Sequence, residues 1–168
     1  MANKKIQEQE VIAFLNSWKE GIIAIGKEYL DHKDYKAPAE EFISSHYGFD
    51  EGEVLFKPTL TKDVVFRNNA ADALSYFIKG HIDEDGGFAI RPWKKIDLLD
   101  SYIIIENSYS FVMGILHFIP WVGSNTFEIA FTFVLTKDSK NNLKIKVHHS
   151  SPITPYIPFS NNGPHLSF

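Results

Sequence analysis

The sequence predicts an α+β domain in which N-terminal helices pack on a strongly curved antiparallel sheet. Two observations predict it. In the first half, apolar residues recur at three- and four-residue steps, the spacing of one helix face. From residue 93 onward they alternate with period two, in long runs joined by short turns. Helices first and a strand meander second place the helices together on one face of the sheet.

Residues 8–33 read as one helix, with Val11, Ile12, Leu15, Trp18, Ile22, Ile25 and Tyr29 as its apolar stripe. Gly21 and Gly26 weaken it a little and admit a close neighbour. A shorter helix runs from Pro38, a favourable first-turn residue, to about His46. Tyr47 to Gly52 is a turn. Val54 to Leu60 reads as a short strand, with Pro58 pointing to an edge or a bulge. Residues 70–79 form a third helix, with Ala73, Leu74, Phe77 and Ile78 on one side. In the loop His81 to Gly87, the carboxylates Asp83, Glu84 and Asp85 read as solvated, because they lack the one-sided spacing of a calcium loop. The strands are Trp93–Glu106, Tyr109–Ile119, Thr126–Thr136 and Leu143–Ser151. Asn107-Ser108 and the stretch Lys137 to Asn142 supply the turn chemistry of hairpins. From Pro152 the chain carries four of its eight prolines and cannot form a central strand. Residues 1–152 are therefore read as a single domain. Residues 153–168 are read as a proline-rich C-terminal arm that docks on its own body or on a partner subunit, or frays.

Composition narrows the function classes. A length of 168 residues suits one domain. Three Trp, seven Tyr and fourteen Phe make up 14% of the chain, enough for a large core, an apolar pocket or an interface. The net charge of −4 and the thin spread of Lys and Arg argue against nucleic acid. The absence of Cys excludes disulfides, thiol catalysis and thiolate metal sites. No apolar stretch follows Lys4-Lys5, so no signal peptide is read, and the apolar runs are too short to span a bilayer. A soluble, cytoplasmic protein is expected.

The order helix, short helix, strand, helix and bent meander resembles the nuclear transport factor 2-like (SnoaL-like, cystatin-like) superfamily. The last strand, Leu143-Lys144-Ile145-Lys146-Val147-His148-His149-Ser150-Ser151, is similar to the closing strand of the calcium/calmodulin-dependent kinase II association domain branch. The segments Val54–Thr59 and Phe88–Trp93 resemble an uncharacterised bacterial subgroup. The likeness covers roughly residues 8–152. It implies a helix-covered cone and a homo-oligomer, in the first instance a dimer paired through the sheet. It does not imply one activity, because the superfamily hosts isomerases, dehydratases, hydrolases, cyclases and assembly modules. The subgroup also resembles sequences labelled phosphoribosyl-AMP cyclohydrolase, whose zinc-binding cysteines this chain lacks.

Strand alternation nominates site residues. Leu143, Ile145, Val147, His149 and Ser151 share one face of the last strand, so His149 and Ser151 are expected inside the cone and His148 outside. His117 continues the apolar series Tyr109, Phe111, Met113 and Ile115 and is expected inside as well. Either His is a candidate general base, or a core His fixed by one hydrogen bond. A metal would need a third ligand such as Glu128, which alternation turns outward, so no metal site and no cofactor is assigned. Lys57 and Arg67 are candidate clamps for a carboxylate or phosphate, the alternative being surface charge or a structural ion pair. Trp18, Tyr47 and Trp93 are candidate pocket walls, the alternative being plain core. The resulting expectation is a small-molecule-binding domain with a mostly apolar pocket for a small organic or acidic ligand. The alternatives are a cofactor-independent isomerase, dehydratase or hydrolase with His149 or His117 as base, and an oligomerisation module.

Overall fold

A computed structural model describes residues 5–153. The C-terminal arm, apart from Ile153, lies outside the described residues. Three helices, α1 (Glu8–Leu30), α2 (Lys36–His46) and α3 (Ala70–Ile78), cover one face of a five-stranded sheet. The strands are β1 (Leu55–Lys57), β2 (Trp93–Glu106), β3 (Tyr109–Pro120), β4 (Phe127–Lys137) and β5 (Leu143–Pro152), in the order β1-β5-β4-β3-β2. Strands β2 to β5 form the antiparallel meander that the short turns require, and β1 joins β5 in parallel. The α+β class read from the sequence is thus the observed one. Among the described residues, no helix is long and apolar enough to cross a membrane.

Local chemistry sets the helix ends. Gln7 and Glu10 cap α1 reciprocally, with the Gln7 N–H donating to Glu10 Oε2 at 2.8 Å. Asp34 accepts from the backbone N–H of Lys36 at 2.9 Å before α2, and Asn69 accepts from that of Asp72 at 2.9 Å in α3. The buried stripe of α1 is Val11, Phe14, Leu15, Trp18, Ile22 and Ile25. Ile12 and Tyr29, expected on it, are exposed. A Cβ on Gly21 would come within 2.5 Å of the Phe42 ring, so its absence lets α1 and α2 approach.

The curvature comes from extra residues. In β2, Leu98 faces Leu116 and Asp100 faces Ile115, leaving Leu99 as the bulge. In β5, Ile145 faces Leu135 and Val147 faces Val134, leaving Lys146 unpaired. Upstream of that bulge Leu143 and Ile145 point into the core. Downstream the phase has flipped, so His148 and Ser150 are buried and His149 is exposed.

The short strand β1 would be a bare edge, but the segment after it closes that side. Arg67 donates its N–H to the Phe56 carbonyl at 2.8 Å, and Phe56 donates to Asn68 Oδ1 at 2.8 Å. The Arg67 side chain is fully buried. It donates to Asp85 at 2.7 Å, to Glu84 at 3.2 Å and to the Val64 carbonyl. Asp85 also accepts from Ser75 at 2.7 Å, and Glu84 accepts backbone N–H groups of Lys62, Asp63 and Val64. The solvated reading of the loop therefore holds for Asp83, which is exposed, and fails for Glu84 and Asp85. These two are the counter-ions of a buried arginine, and they tie α3 to the loop after β1.

Arg67→Met is expected to destabilise the fold by about 3–5 kcal/mol, because it leaves Asp85 as an uncompensated buried charge. Urea unfolding measures this. Replacing Asp85 by Leu in the same chain should recover part of the loss, and equal costs for the single and double variants would refute the pairing.

Candidate functional site

A small cavity of about 10 Å³ lies between the helices and the concave face of the sheet. Its apolar walls are Trp18 of α1, Phe56 of β1, Phe77 of α3, Ile129 of β4 and Phe88. Its polar groups are Thr59, Tyr76, His148 and Ser150. One water needs roughly 10–15 Å³, so the space is water-sized, and a larger guest enters only if the lining side chains shift.

The polar groups form one connected network. Trp18 Nε1–H donates to the Tyr47 hydroxyl at 3.4 Å, and that hydroxyl lies 2.9 Å from His148 Nδ1. Tryptophan can only donate, so the single proton of Tyr47 is free for Nδ1, which then accepts. The network thus assigns the proton of His148 to Nε2, which lies 3.1 Å from Ser150 Oγ. Ser150 Oγ also accepts from Thr59 Oγ1 at 3.0 Å. The Tyr76 hydroxyl, which also lines the cavity beside Thr59, accepts the Leu60 N–H at 3.3 Å. With both approaches to Ser150 Oγ taken by donors, its own hydroxyl proton is left for whatever occupies the cavity.

Packing fixes the imidazole. Phe56 stacks on His148 at 4.5 Å, and the edges of Phe133 and Trp18 meet it at 4.6 and 5.9 Å. Burial, with a smaller contribution from neighbouring His149, pulls its pKa down to about 3, so the ring is neutral at physiological pH. Burial pushes the phenols of Tyr47 and Tyr76 well above their ordinary value, so both keep their protons. Among the described residues no carboxylate lines the cavity. Lys57, half-buried and with its pKa lowered by burial, donates to the Ser150 carbonyl at 3.1 Å. Such a site offers neutral hydroxyl and imidazole groups, one nearby cation and apolar walls. It can polarise and orient a small oxygen-bearing molecule.

The structure brings Tyr47 and Trp18 to this network, leaves Lys57 on the outer side of the sheet where it meets only the Ser150 backbone carbonyl, and places the other expected residues elsewhere. His149 is turned outward by the β5 bulge, and Ser151 goes with it to the half-buried outer side. His117 also lies on the outer face, 3.0 Å from Glu128. The inward series on β3 is Ser110, Val112, Leu116 and Phe118, and the apolar series that carried His117 is the outer one. Trp93 is core, its Nε1–H donating to the Phe88 carbonyl at 2.8 Å. Arg67 is bound by Asp85 and Glu84 and is not a ligand clamp. Among the described residues, no three His, Asp or Glu converge on a metal position.

Thr59, Tyr76, His148 and Ser150 were not nominated by the sequence. On β5 the residues run His-His-Ser-Ser, so a slip of one position exchanges one His and Ser pair for the other. The alternation pattern is unchanged by that slip. Only the position of Lys146 opposite a gap in β4 reveals it.

Stability should report the state of His148. The unfolded chain takes up its proton near pH 6.5 and the folded chain only near pH 3, so stability is lost as pH falls through that window. Above it His148 contributes no slope. Urea unfolding should show His148→Gln lacking up to about 1.4 kcal/mol of this loss per pH unit. An unchanged slope would show that the ring titrates normally.

A sequence model of the family described as metal-independent carbonic anhydrase matches residues 9–152. A protein from Nostoc sp. (strain PCC 7120 / SAG 25.82 / UTEX 2576), named metal-independent carbonic anhydrase, is 36% identical over 157 residues, covering 90% of this chain and 76% of that protein. The solved iota-carbonic anhydrase from a cyanobacterium, complexed with bicarbonate, superposes with a TM-score of 0.85 at 35% identity, covering 94% of this chain and 98% of the other. A putative dehydratase of the NTF2-like family from Streptomyces avermitilis superposes with a TM-score of 0.57 at 13% identity, over 88% of this chain and 96% of its own. That match shows the fold alone and agrees with the nuclear transport factor 2-like resemblance. The matches to carbonic anhydrases overturn the expectation of an uncharacterised binding domain. They also remove the uncharacterised subgroup and the cyclohydrolase label. With the family model spanning most of the sequence and a relative more than one-third identical over nearly its whole length, the chain belongs to the metal-independent carbonic anhydrase family.

Proposed function

We propose that the chain catalyses the reversible hydration of carbon dioxide to bicarbonate and a proton, in the cavity between Ser150 and Tyr76. The observation that carries this reading is the convergence of Thr59, Tyr76, Ser150 and a neutral His148 on one small, apolar-walled space. Family membership and the bicarbonate complex of the cyanobacterial relative support it.

In the hydration direction the water oxygen bonds to the carbon of CO2, and one C=O electron pair moves onto its oxygen. Hydroxyl donors held in a water-poor cavity stabilise that developing charge better than solvent does. The water must lose a proton. Among the described residues no carboxylate lines the cavity and His148 is too weak a base, so the proton passes along the hydroxyls of Ser150, Thr59 and Tyr76, each giving up one proton as it takes one, to bulk water in the recess beyond Tyr76. As its donors are oriented, that chain points protons inward, the arrangement that protonates the departing hydroxyl of bicarbonate. The opposite rotor setting takes the proton off water. His148 and Tyr47 act as positioning residues that hold Ser150, and Lys57 fixes the Ser150 backbone carbonyl from the outer side of the sheet.

Oxygen-isotope exchange between CO2 and water is expected above the uncatalysed rate and unchanged by treatment with a strong chelator. Ser150→Ala, which deletes one oxyanion donor, should lower kcat/KM by about 10²–10³. Exchange no faster than buffer, or full activity in that variant, would sink the reading.

The homo-oligomer expected from the sequence is assigned to the outer sheet face. There Tyr102 and Ile104 of β2 lie beside Met113 and Phe111 of β3, and all four are exposed. A second copy of the same face would bury them together. Analytical ultracentrifugation should give a dimer for the native chain and a monomer for Met113→Glu. A monomeric native chain would refute the pairing.

A further inference from the structure

The cavity is closed, so a charged product needs a route out. A second recess, of about 50 Å³, lies on the far side of Tyr76 and Phe88. These two rings line both spaces and stack on each other at 5.6 Å. Unlike the cavity, the recess is bordered by a guanidinium, that of Arg91. A Cβ on Gly86 would stand 3.1 Å from Arg91 Nη2, so the missing side chain at Gly86 makes room for the guanidinium against the backbone. Among the described residues Arg91 takes part in no ion pair, whereas the other charges of this region are committed. Glu84, which also borders the recess, is held by Arg67 and by three backbone N–H groups. Asp85 is buried and faces Arg67 and Ser75.

We infer that Arg91 is an anion-docking residue for a small planar oxyanion, bicarbonate in the reaction proposed above, at an outer station separated from the cavity by the Tyr76–Phe88 pair. A guanidinium presents two parallel N–H donors that match two oxygens of a trigonal anion. The recess is too small for more than a few heavy atoms. Tyr76 stands between the two spaces and meets the proton chain on one side and the anion station on the other. Both products of CO2 hydration would leave past this one residue. The inference rests on the proposed reaction for the identity of the anion, and on the recess alone for the existence of the site.

Line broadening of chloride in NMR, with nitrate as a competing planar anion, tests it on the full chain at low ionic strength. The native protein should broaden the chloride line, and nitrate should sharpen it. Arg91→Gln should weaken this binding by roughly 5- to 10-fold, the scale of one charge-assisted contact, without changing the thermal midpoint. Arg91→Lys should retain most of it, and Ser150→Ala should retain it in full. Broadening by Arg91→Gln equal to that of the native chain would overturn the inference, as would loss confined to Ser150→Ala. Native protein that broadens chloride through Arg91 but does not hydrate CO2 would keep the anion site and remove the catalytic reading. The reverse result would keep the reaction and remove the site.

Discussion

The site depends on one extra residue. Lys146 has no partner on β4, and from that point β5 presents the opposite set of side chains to the core. Before the bulge, Leu143 and Ile145 complete the apolar packing against α2. After it, His148 and Ser150 enter a space that unbroken alternation would give to His149 and Ser151. Because side chains in a strand repeat with period two, no smaller change exchanges the whole set. The same bulge keeps Val147 and His149 on the outer face beside Leu55 and Lys57 of β1.

What the bulge delivers is a polar network without charge, and the aromatic excess explains why it stays so. Phe56, Phe133 and Trp18 surround the imidazole, and their burial of it outweighs its tendency to take up a proton. A charged imidazole would need a carboxylate partner, and among the described residues the cavity has none. The hydrogen bonds of Tyr47, Thr59 and Tyr76 therefore order protons and do not pair ions. In a low-dielectric space such bonds are stronger than in water, and each unsatisfied one would cost more. The charges of the region are kept outside the cavity, with Arg67 locked to Asp85 and Glu84.

Much of the fold was legible because each helix has one apolar face, and the turns between strands are short and chemically marked. Trp18 and Tyr47, read as pocket walls, do border the polar network, although by hydrogen bonds and not as plain walls. The inward faces of β3 and β5 were not legible, for two physical reasons. On β3 both phases are apolar, so Phe111 and Met113 on the outer face look as core-like as Val112 and Phe118 on the inner one. Their outward position is the cost of a sheet face suited to pairing. On β5 the phase depends on a bulge encoded by the mismatch of two strands, which no single segment displays. Arg67 misleads for a related reason. Its partners, Glu84 and Asp85, look like a solvated run until α3 folds back and brings them to it.

Size then decides what chemistry the network serves. Hydroxyl donors and a neutral imidazole bind many oxygen-bearing ligands, and alone they select none. Walls of Trp18, Phe56, Phe77, Phe88 and Ile129 leave a water-sized space, which excludes drug-sized ligands. The same walls favour an uncharged, apolar molecule over an anion, because an anion would give up its hydration for a space without a cation. The guanidinium of Arg91 lies beyond the Tyr76–Phe88 stack, and Lys57 reaches only the Ser150 carbonyl from the outer side of the sheet, so the network stays uncharged.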